Sequence, residues 1–343
     1  MNALIISDLH LTERKQDEYR WKVFDLVTDF AEQDHEFDAE DLYIMGDLLD
    51  RKDRHPSELI NRLINKLVSC TIYYKQITIL KGNHDYLRPD APFLEFIKHL
   101  PNIQWIDQPL RQNKILWLPH SRNPEIEWKD LDFKDLDYVF MHQSVIGSQV
   151  SNLFEMNHGL NLNWLTSKTN AKIYSGDIHV PQKIDTLTYI GTQHPVSFGD
   201  DYQPRMLWLK GNEEISIPVD TIQRLVLKIQ SSRELEKLKN AKQLKEGDQI
   251  KVKVLLNNKE LSKWTETKQL VKEWCSVNKI ELFDVTLERT EVEVKEDQVV
   301  HKKFEAVDPL TAFNNYVQAE QLDSFLIKTG QDLLNAALQQ KGV

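Results

Sequence analysis

Five short apolar runs, each closed by a cluster of Gly, Asp, Asn or His, limit the fold of this chain more than any other feature of its sequence. The runs are ALIIS (3–7), LYIM (42–45), ITIL (77–80), YVFM (138–141) and KIYS (172–175). Runs this short and this apolar predict strands buried on both faces. Helical periods lie between them. WKVFDLVTDFAEQ (21–33) repeats apolar residues at 23, 24, 26, 27 and 30, and Ser57 precedes ELINRLINKLV as a predicted N-cap. Alternating strand and helix predicts a layered α/β domain. Two later stretches, TLTYIGTQHPVSFG and RMLWLKGNEEISIPV, read as further strands, with Lys210-Gly211-Asn212 as a hairpin turn. The sheet is therefore expected to be mixed.

A change of character near Pro218–Gln223 predicts a boundary, so residues 1–222 form the first domain. Beyond it, RLVLKI (224–229) alternates as a strand, and 233–243 carries a helical pattern. QIKVKVLL (249–256) is a second strand, Lys259 to Val277 a second amphipathic helix, and 281–294 a third strand. This βαβαβ pattern predicts a small two-layered α/β cap domain over 223–300. Residues 301–343 hold two helical patterns, 309–319 and 321–339, and so form a helical tail. The second pattern sets Leu322, Phe325, Leu326, Leu333, Leu334 and Leu338 on related faces. Packing against the cap is one reading of that stripe; docking on a partner's helix or coiled coil is the other.

The net charge of −10 argues at first against nucleic acid, whose binders carry a basic footprint. The acidity is local, however. Residues 1–222 hold 23 basic and 34 acidic side chains, 223–300 hold 16 and 14, and 301–343 hold 4 and 5. Cys70 and Cys275 stand alone, outside any CxxC spacing, which argues against a disulfide framework or a zinc ribbon. The N-terminal apolar run is too short for a signal peptide, and no run approaches the ~18 residues of a membrane span. A cytoplasmic protein is expected, with no membrane partner.

The chemistry lies in the residues that close the five runs: Asp8-Leu9-His10, Gly46-Asp47 with Asp50, Gly82-Asn83-His84-Asp85, His142, and Gly176-Asp177-Ile178-His179. In open α/β sheets, ligand sites form in loops beyond the strand C-termini. Five such loops would bring carboxylate, imidazole and amide oxygen together. Hard oxygens with imidazole and no thiolate suit Mn²⁺, Mg²⁺ or Fe²⁺ better than a structural zinc. These donors are too many for one such ion, whereas two ions ~3.5–4 Å apart, bridged by a shared carboxylate, would use them all. Asp-x-His spacing aims both side chains the same way from an extended strand end. The glycines before Asp47, Asn83 and Asp177 would let the backbone turn and approach the ions. Singly, each cluster is ordinary turn chemistry. Five of them in order, each after a strand-like run, are not.

This series resembles the calcineurin-like metallophosphoesterases, whose pattern is D-x-H, G-D-x-x-D, G-N-H-(D/E), H and G-H-x-H. All five motifs are present in order, with Asp177 where the family pattern has His. Within that superfamily the chain is most similar to DNA-processing nucleases of the SbcD type, especially the recombination nuclease subunits of large tailed phages. Three segments carry this: Ser7-Asp8-Leu9-His10-Leu11, the Asp85 ending of the third motif, and Tyr189-Ile190-Gly191-Thr192 followed by Ser197-Phe198-Gly199-Asp200. The resemblance covers 1–210 well and the cap and tail more loosely.

The resemblance implies a mixed β-sheet sandwich flanked by helices. It also implies that Asp8, His10, Asp47 and His179 hold one ion, that Asp47 bridges, and that Asn83, His142 and Asp177 complete the second. His84 would stabilise the leaving oxygen, with Asp50 orienting its ring. A carboxylate at 177 favours harder ions such as Mn²⁺ and Mg²⁺; the alternative is that Asp177 stands one step back from the ion. The implied activity is a Mn²⁺-dependent DNA exonuclease and endonuclease. It would act with an SbcC-like coiled-coil ATPase in end processing, repair and recombination, in the cytoplasm of a cell or of a phage host. A homodimer is expected, with 57–68 and 92–100 as candidate dimer elements. The competing reading is a metallophosphatase acting on phosphoproteins or small phosphoesters, which would not need residues 223–343.

Four further features have bland and sharp readings. His120 reads as a surface or core-edge histidine, the alternative being entry into the site from the far sheet. His194, beside the Phe-Gly-Asp segment, reads as structural, the alternative being a contact with substrate. Arg51 extends the second motif as in protein phosphatases, where such an arginine grips phosphate, but Lys52 replaces the usual glycine. Trp264 and Trp274, among Lys259, Lys263, Lys268, Lys272 and Lys279, read as a core stripe with a charged face, the alternative being a base-stacking surface.

Overall fold

All five apolar runs are strands, and they lie in two sheets stacked face to face. The computed structural model describes residues 1–32, 39–151, 154–257 and 261–289, and beyond these 313, 317, 327–332 and 334. The chain begins with β1 (Asn2–Ile6), α1 (Lys22–Glu32), β2 (Asp41–Ile44), α2 (Ser57–Cys70), β3 (Gln76–Leu80) and β4 (Ile103–Ile106). It continues through β5 (Leu110–Gln112), β6 (Ile115–Leu118), α3 (Pro124–Glu127), β7 (Tyr138–His142), β8 (Gln149–Ser151) and β9 (Phe154–Glu155). Then come α4 (Leu162–Thr166), β10 (Lys172–Gly176), β11 (Gln182–Ile184), β12 (Leu187–Tyr189), β13 (Arg205–Lys210) and β14 (Glu213–Pro218).

The first sheet has the order β14-β13-β1-β2-β3-β4 and the second β11-β12-β10-β7-β6-β5. In the first, β1 to β4 run parallel, β13 pairs antiparallel with β1, and β14 pairs antiparallel with β13. In the second, β6, β7, β10 and β12 run parallel. Both sheets are mixed, as expected, and the fold is a layered α/β sandwich. The two-residue loop Gly211-Asn212 closes the β13–β14 hairpin.

Alternation along β1 sorts its side chains between two cores. Leu4 and Ile6 face outward and pack with Phe24 and Val27 of α1 and Leu63 and Leu67 of α2. Ala3 and Ile5 face inward, where Tyr43, Trp117, Phe140 and Tyr174 fill the layer between the sheets. Trp117 and Phe140 stack at 4.7 Å, and Tyr43 meets Trp117 edge-on at 5.0 Å. Full burial of one such side chain contributes roughly 1.5–3 kcal/mol, so this layer holds the C-terminal ends of β1, β2, β3, β7 and β10 at one rim.

Helix α2 departs from the expected start. Pro56 occupies the N-cap in an extended conformation, and Ser57 is the first helical residue, its Oγ 3.3 Å from Glu58 Oε2. The proline's fixed backbone ends the preceding segment one residue early, so Ser57 caps nothing.

A third sheet, β15 (Arg224–Ile229), β16 (Gln249–Leu256) and β17 (Glu281–Arg289), is wholly parallel. It carries α5 (Glu234–Lys242) and α6 (Trp264–Val277) over a core of Leu227, Leu235, Ile250, Val252, Val271 and Val285. Residues 259–260 of the expected helix and 290–294 of the expected strand lie outside the described residues. Trp264 and Trp274 pack against this core, and Trp274 Nε1 donates to Glu236 Oε2 at 2.8 Å. The tryptophans serve packing.

The chain divides into two units, Met1–Thr290 and Glu291–Val343. In the second, Phe313, Val317, 327–332 and Leu334 are helical. A Cβ at Gly330 would come within 2.6 Å of the Phe313 ring, so these two helical stretches touch through a glycine. Leu322, Phe325, Leu326, Leu333 and Leu338 lie outside the described residues. Among the described residues no helix is long and apolar enough to cross a membrane.

Candidate metal centre

Each parallel strand delivers its closing residues to the shared rim. The backbone there is unusual. Asp8, His10, Asp47 and Asp177 all have positive φ (54°, 43°, 53° and 80°), the left-handed region that side chains other than Gly visit sparingly. Such strain persists only where the surroundings enforce it, and it clusters at functional sites. Here the two loops hold each other: Asp8 N donates to Gly46 O at 3.1 Å, and His10 N to Asp47 O at 2.9 Å.

Glycines permit the approach. A Cβ on Gly46 would fall 2.2 Å from His142 Nδ1, one on Gly82 2.1 Å from Asp47 Oδ1, and one on Gly176 2.4 Å from Met45 O. Gly46 also has φ +96°, whereas Gly82 and Gly176 are required for space rather than for a turn.

Asp47 lies at the middle. Its Oδ2 is 3.6 Å from His10 Nε2, and its Oδ1 is 3.4 Å from His142 Nε2. On the first side, His10 Nε2 faces His179 Nε2 at 3.2 Å, and Asp8, His10 and His179 converge to within 4.8 Å. On the second side, His142 Nε2 lies 3.3 Å from Asn83 Oδ1, 3.7 Å from Asp177 Oδ1 and 4.0 Å from Asp8 Oδ1. His142 Nδ1 donates to Met45 O at 2.5 Å, so once Nε2 has lost its proton its lone pair faces these oxygens. All seven expected donors are brought together.

The donor set fits divalent cations. Three carboxylates share a largely buried space, and two ring nitrogens point at each other. A cation on either side of Asp47 relieves both conflicts. Burial pushes the Asp8 carboxyl up to about 7, with Asp47 adding to the rise and His142 opposing it. Burial also raises Asp177 and lowers His10 and His179. Burial would depress His142 too, but Asp47, Asp8 and Asp177 outweigh it and hold the ring well above the usual histidine range. Asp47 is held low: burial alone would raise it, yet His142, then His10 and His84, prevail.

His84 stands at the open side of this group. Its backbone N donates to Asp47 Oδ1 at 2.8 Å, and its ring Nδ1 donates to the backbone carbonyl of Asp50 at 2.7 Å. Asp50 thus contacts the ring as expected, and does so through its main-chain carbonyl. The Asp50 carboxylate is drawn instead to Arg14 at 2.8 Å and Arg20 at 3.3 Å, because two guanidiniums outcompete one imidazole.

Some residues here were not assigned a role from sequence. Asp85 accepts from the backbone N–H groups of Asp47 (2.9 Å), Leu48 (3.0 Å) and Gly82 (2.8 Å), clamping the second and third motifs together. Its adjacency to the Asn-His pair was the available signal. His120 enters the site region after all: its ring lies 6.2 Å from that of His142, Tyr86 Oη lies 2.8 Å from its Nδ1, and burial lowers it to about 3. His194 is structural, with Nε2 donating to Leu9 O at 3.1 Å. Arg51 is exposed and pairs with Glu13 at 3.7 Å.

A family model described as calcineurin-like phosphoesterase matches residues 1–181. Among solved structures, one described as the crystal structure of Pseudomonas putida nuclease MPE is similar at 14% identity. The match covers 63% of this chain and 73% of that one, with a TM-score of 0.29, a likeness too slight to carry an argument. No curated protein matches the chain.

Proposed function

The chain belongs to the calcineurin-like phosphoesterases, hydrolases of phosphoester bonds, and on that premise we propose that it is a Mn²⁺-dependent DNA nuclease. The observation that carries the reading is Asp47, one carboxylate with an oxygen in each of two donor groups. Asp8, His10, Asp47 and His179 would hold one ion; Asp47, Asn83, His142 and Asp177 would hold the other. Two divalent ions there would supply charge neutralisation for the phosphoryl oxygens and a nucleophile at neutral pH.

The chain's own groups do the rest. The Nδ1–H bond to Asp50 fixes the His84 tautomer and leaves Nε2 to face the substrate. When protonated, that nitrogen donates to the oxygen of the leaving group. Asp8, Asp47 and His142 are buried, whereas Asn83, His84, Asp177 and His179 are partly open. The phosphodiester therefore approaches from the His84 side.

A DNA substrate is supported by the sequence segments shared with SbcD-type nucleases, at 7–11, at Asp85 and at 189–200. Residues 1–222 are the catalytic domain, 223–300 the DNA-binding cap and 301–343 the segment that engages an SbcC-like ATPase. A homodimer forms through 57–68 and 92–100, where Val68 and Phe93 are exposed. The test compares linear DNA with p-nitrophenyl phosphate in the presence of Mn²⁺. DNA cleavage that His84→Ala removes is expected. Monoester turnover with no DNA cleavage would sink the nuclease reading and favour a metallophosphatase.

A further inference from the structure

Arg20 lies in a 3₁₀ segment (Lys15–Trp21) ahead of α1, is 4% exposed, and divides its guanidinium between two residues of the candidate site and three neighbours around it. Nη1 donates to the His10 carbonyl at 2.5 Å and to Asp50 Oδ1 at 3.3 Å. Nη2 reaches the Val196 carbonyl at 3.4 Å and lies 3.6 Å from Asp17 Oδ1. Nε donates to Tyr19 Oη at 3.4 Å.

We propose that Arg20 is a positioning residue for phosphoester hydrolysis, fixing His84 relative to the His10 side of the metal centre. The geometry is a short chain of contacts. Asp50 accepts from Arg20 with its carboxylate and holds the His84 ring with its own carbonyl, so the guanidinium sets where that carbonyl sits. The same nitrogen anchors the carbonyl of His10, a residue in left-handed backbone whose carbonyl would otherwise lack this buried donor. Val196 supplies the third anchor, and its carbonyl also accepts from Arg224 of β15 at 2.6 Å. One planar fork thus ties three separate loops, which a lysine's single ammonium cannot do.

This rests on the hydrolase reading, and its test separates the two. Hydrolysis of bis(p-nitrophenyl) phosphate with Mn²⁺ is to be measured for the full chain, for Arg20→Lys and Arg20→Met, and for the residual turnover of each in a His84→Ala background. Arg20→Lys is expected to lower kcat about 10–100-fold, as loss of a group supporting a ligand does, with a KM change of less than about threefold on the same argument. In the His84→Ala background the same change should cost less than about twofold, because residues acting as a unit are not additive. Equal losses in both backgrounds would overturn the assignment. The second readout needs no activity: ¹⁵N spectra of the His84 ring should show a single Nδ1–H tautomer in the native chain and a mixture in Arg20→Lys. An unchanged tautomer also overturns it, whether or not Arg20→Met folds. A native chain inactive on every phosphoester would count against the hydrolase reading alone, and the ring spectra would still decide the role of Arg20.

Discussion

Asp8 and His142 face each other across the proposed metal centre as groups that must lose protons before they can bind a cation. Burial pushes the Asp8 carboxyl up to about 7, and the surrounding carboxylates outweigh burial to hold His142 well above the usual histidine range. A cation needs the carboxylate and the free lone pair, so loading releases protons and weakens as pH falls. Mn²⁺ affinity should therefore drop between pH 8 and pH 6. Calorimetry in two buffers of different ionisation enthalpy would show the released protons, and an affinity independent of pH would contradict this. Asp177 offers the second test at this scale. Its carboxylate stands 3.7 Å from His142 Nε2, where a ligand's oxygen belongs. Asp177→His should shift preference from Mg²⁺ and Mn²⁺ toward softer ions, read by competition between Mn²⁺ and Co²⁺. Unchanged selectivity would remove Asp177 from the ligand set.

Strands and the loops that close them were the legible part of the molecule, and the reason is geometric. A strand buried on both faces leaves a continuous apolar run, and the parallel arrangement sends every closing residue to one rim. Asp8, Asp47, Asn83, His142 and Asp177 could thus be placed together from their spacing alone. What spacing cannot show is how a residue is used once it arrives. Asp50 holds His84 through a carbonyl that any residue possesses, while its carboxylate serves Arg14 and Arg20. Arg20 itself left no trace, because a buried arginine just ahead of an amphipathic helix reads as part of its polar face. Ser57 was misplaced by one position because Pro56 had already ended the preceding segment. The third loop yields a sharp prediction. A Cβ on Gly82 would meet Asp47 Oδ1 at 2.1 Å, so Gly82→Ala must push the Asp47 carboxylate aside. Mn²⁺ affinity should fall about 10–100-fold while circular dichroism retains the native signature. Unaltered affinity would mean that Asp47 is free to move and does not bridge.

Charge is divided unevenly along the chain, with an excess of 11 acidic residues in 1–222 and of two basic residues in 223–300. On the proposed DNA substrate, bulk attraction would contribute little to binding, which depends on released counterions at local basic groups. Local lysines, the ions and a partner would then have to supply what the surface does not. Truncation after residue 305 should abolish capture of a coiled-coil ATPase and leave Mn²⁺-dependent hydrolysis intact. A truncated chain that loses solubility instead would assign the tail to packing. The position of the candidate centre has one more consequence. Asp8, His10, Asp47 and Asn83 follow strands of the first sheet, and His142, Asp177 and His179 follow strands of the second. Ions seated among them would work as a clasp across the seam of the sandwich, joining layers that already meet through side-chain packing and through hydrogen bonds such as that from His142 Nδ1 to Met45 O. A clasp of this kind adds about 2.7 kcal/mol when the free ion is at 100 times its Kd. Chelation should accordingly lower the melting temperature of the catalytic layers, and Mn²⁺ should restore it. The feature that equips the molecule to cut a phosphoester then also decides how readily its two halves come apart.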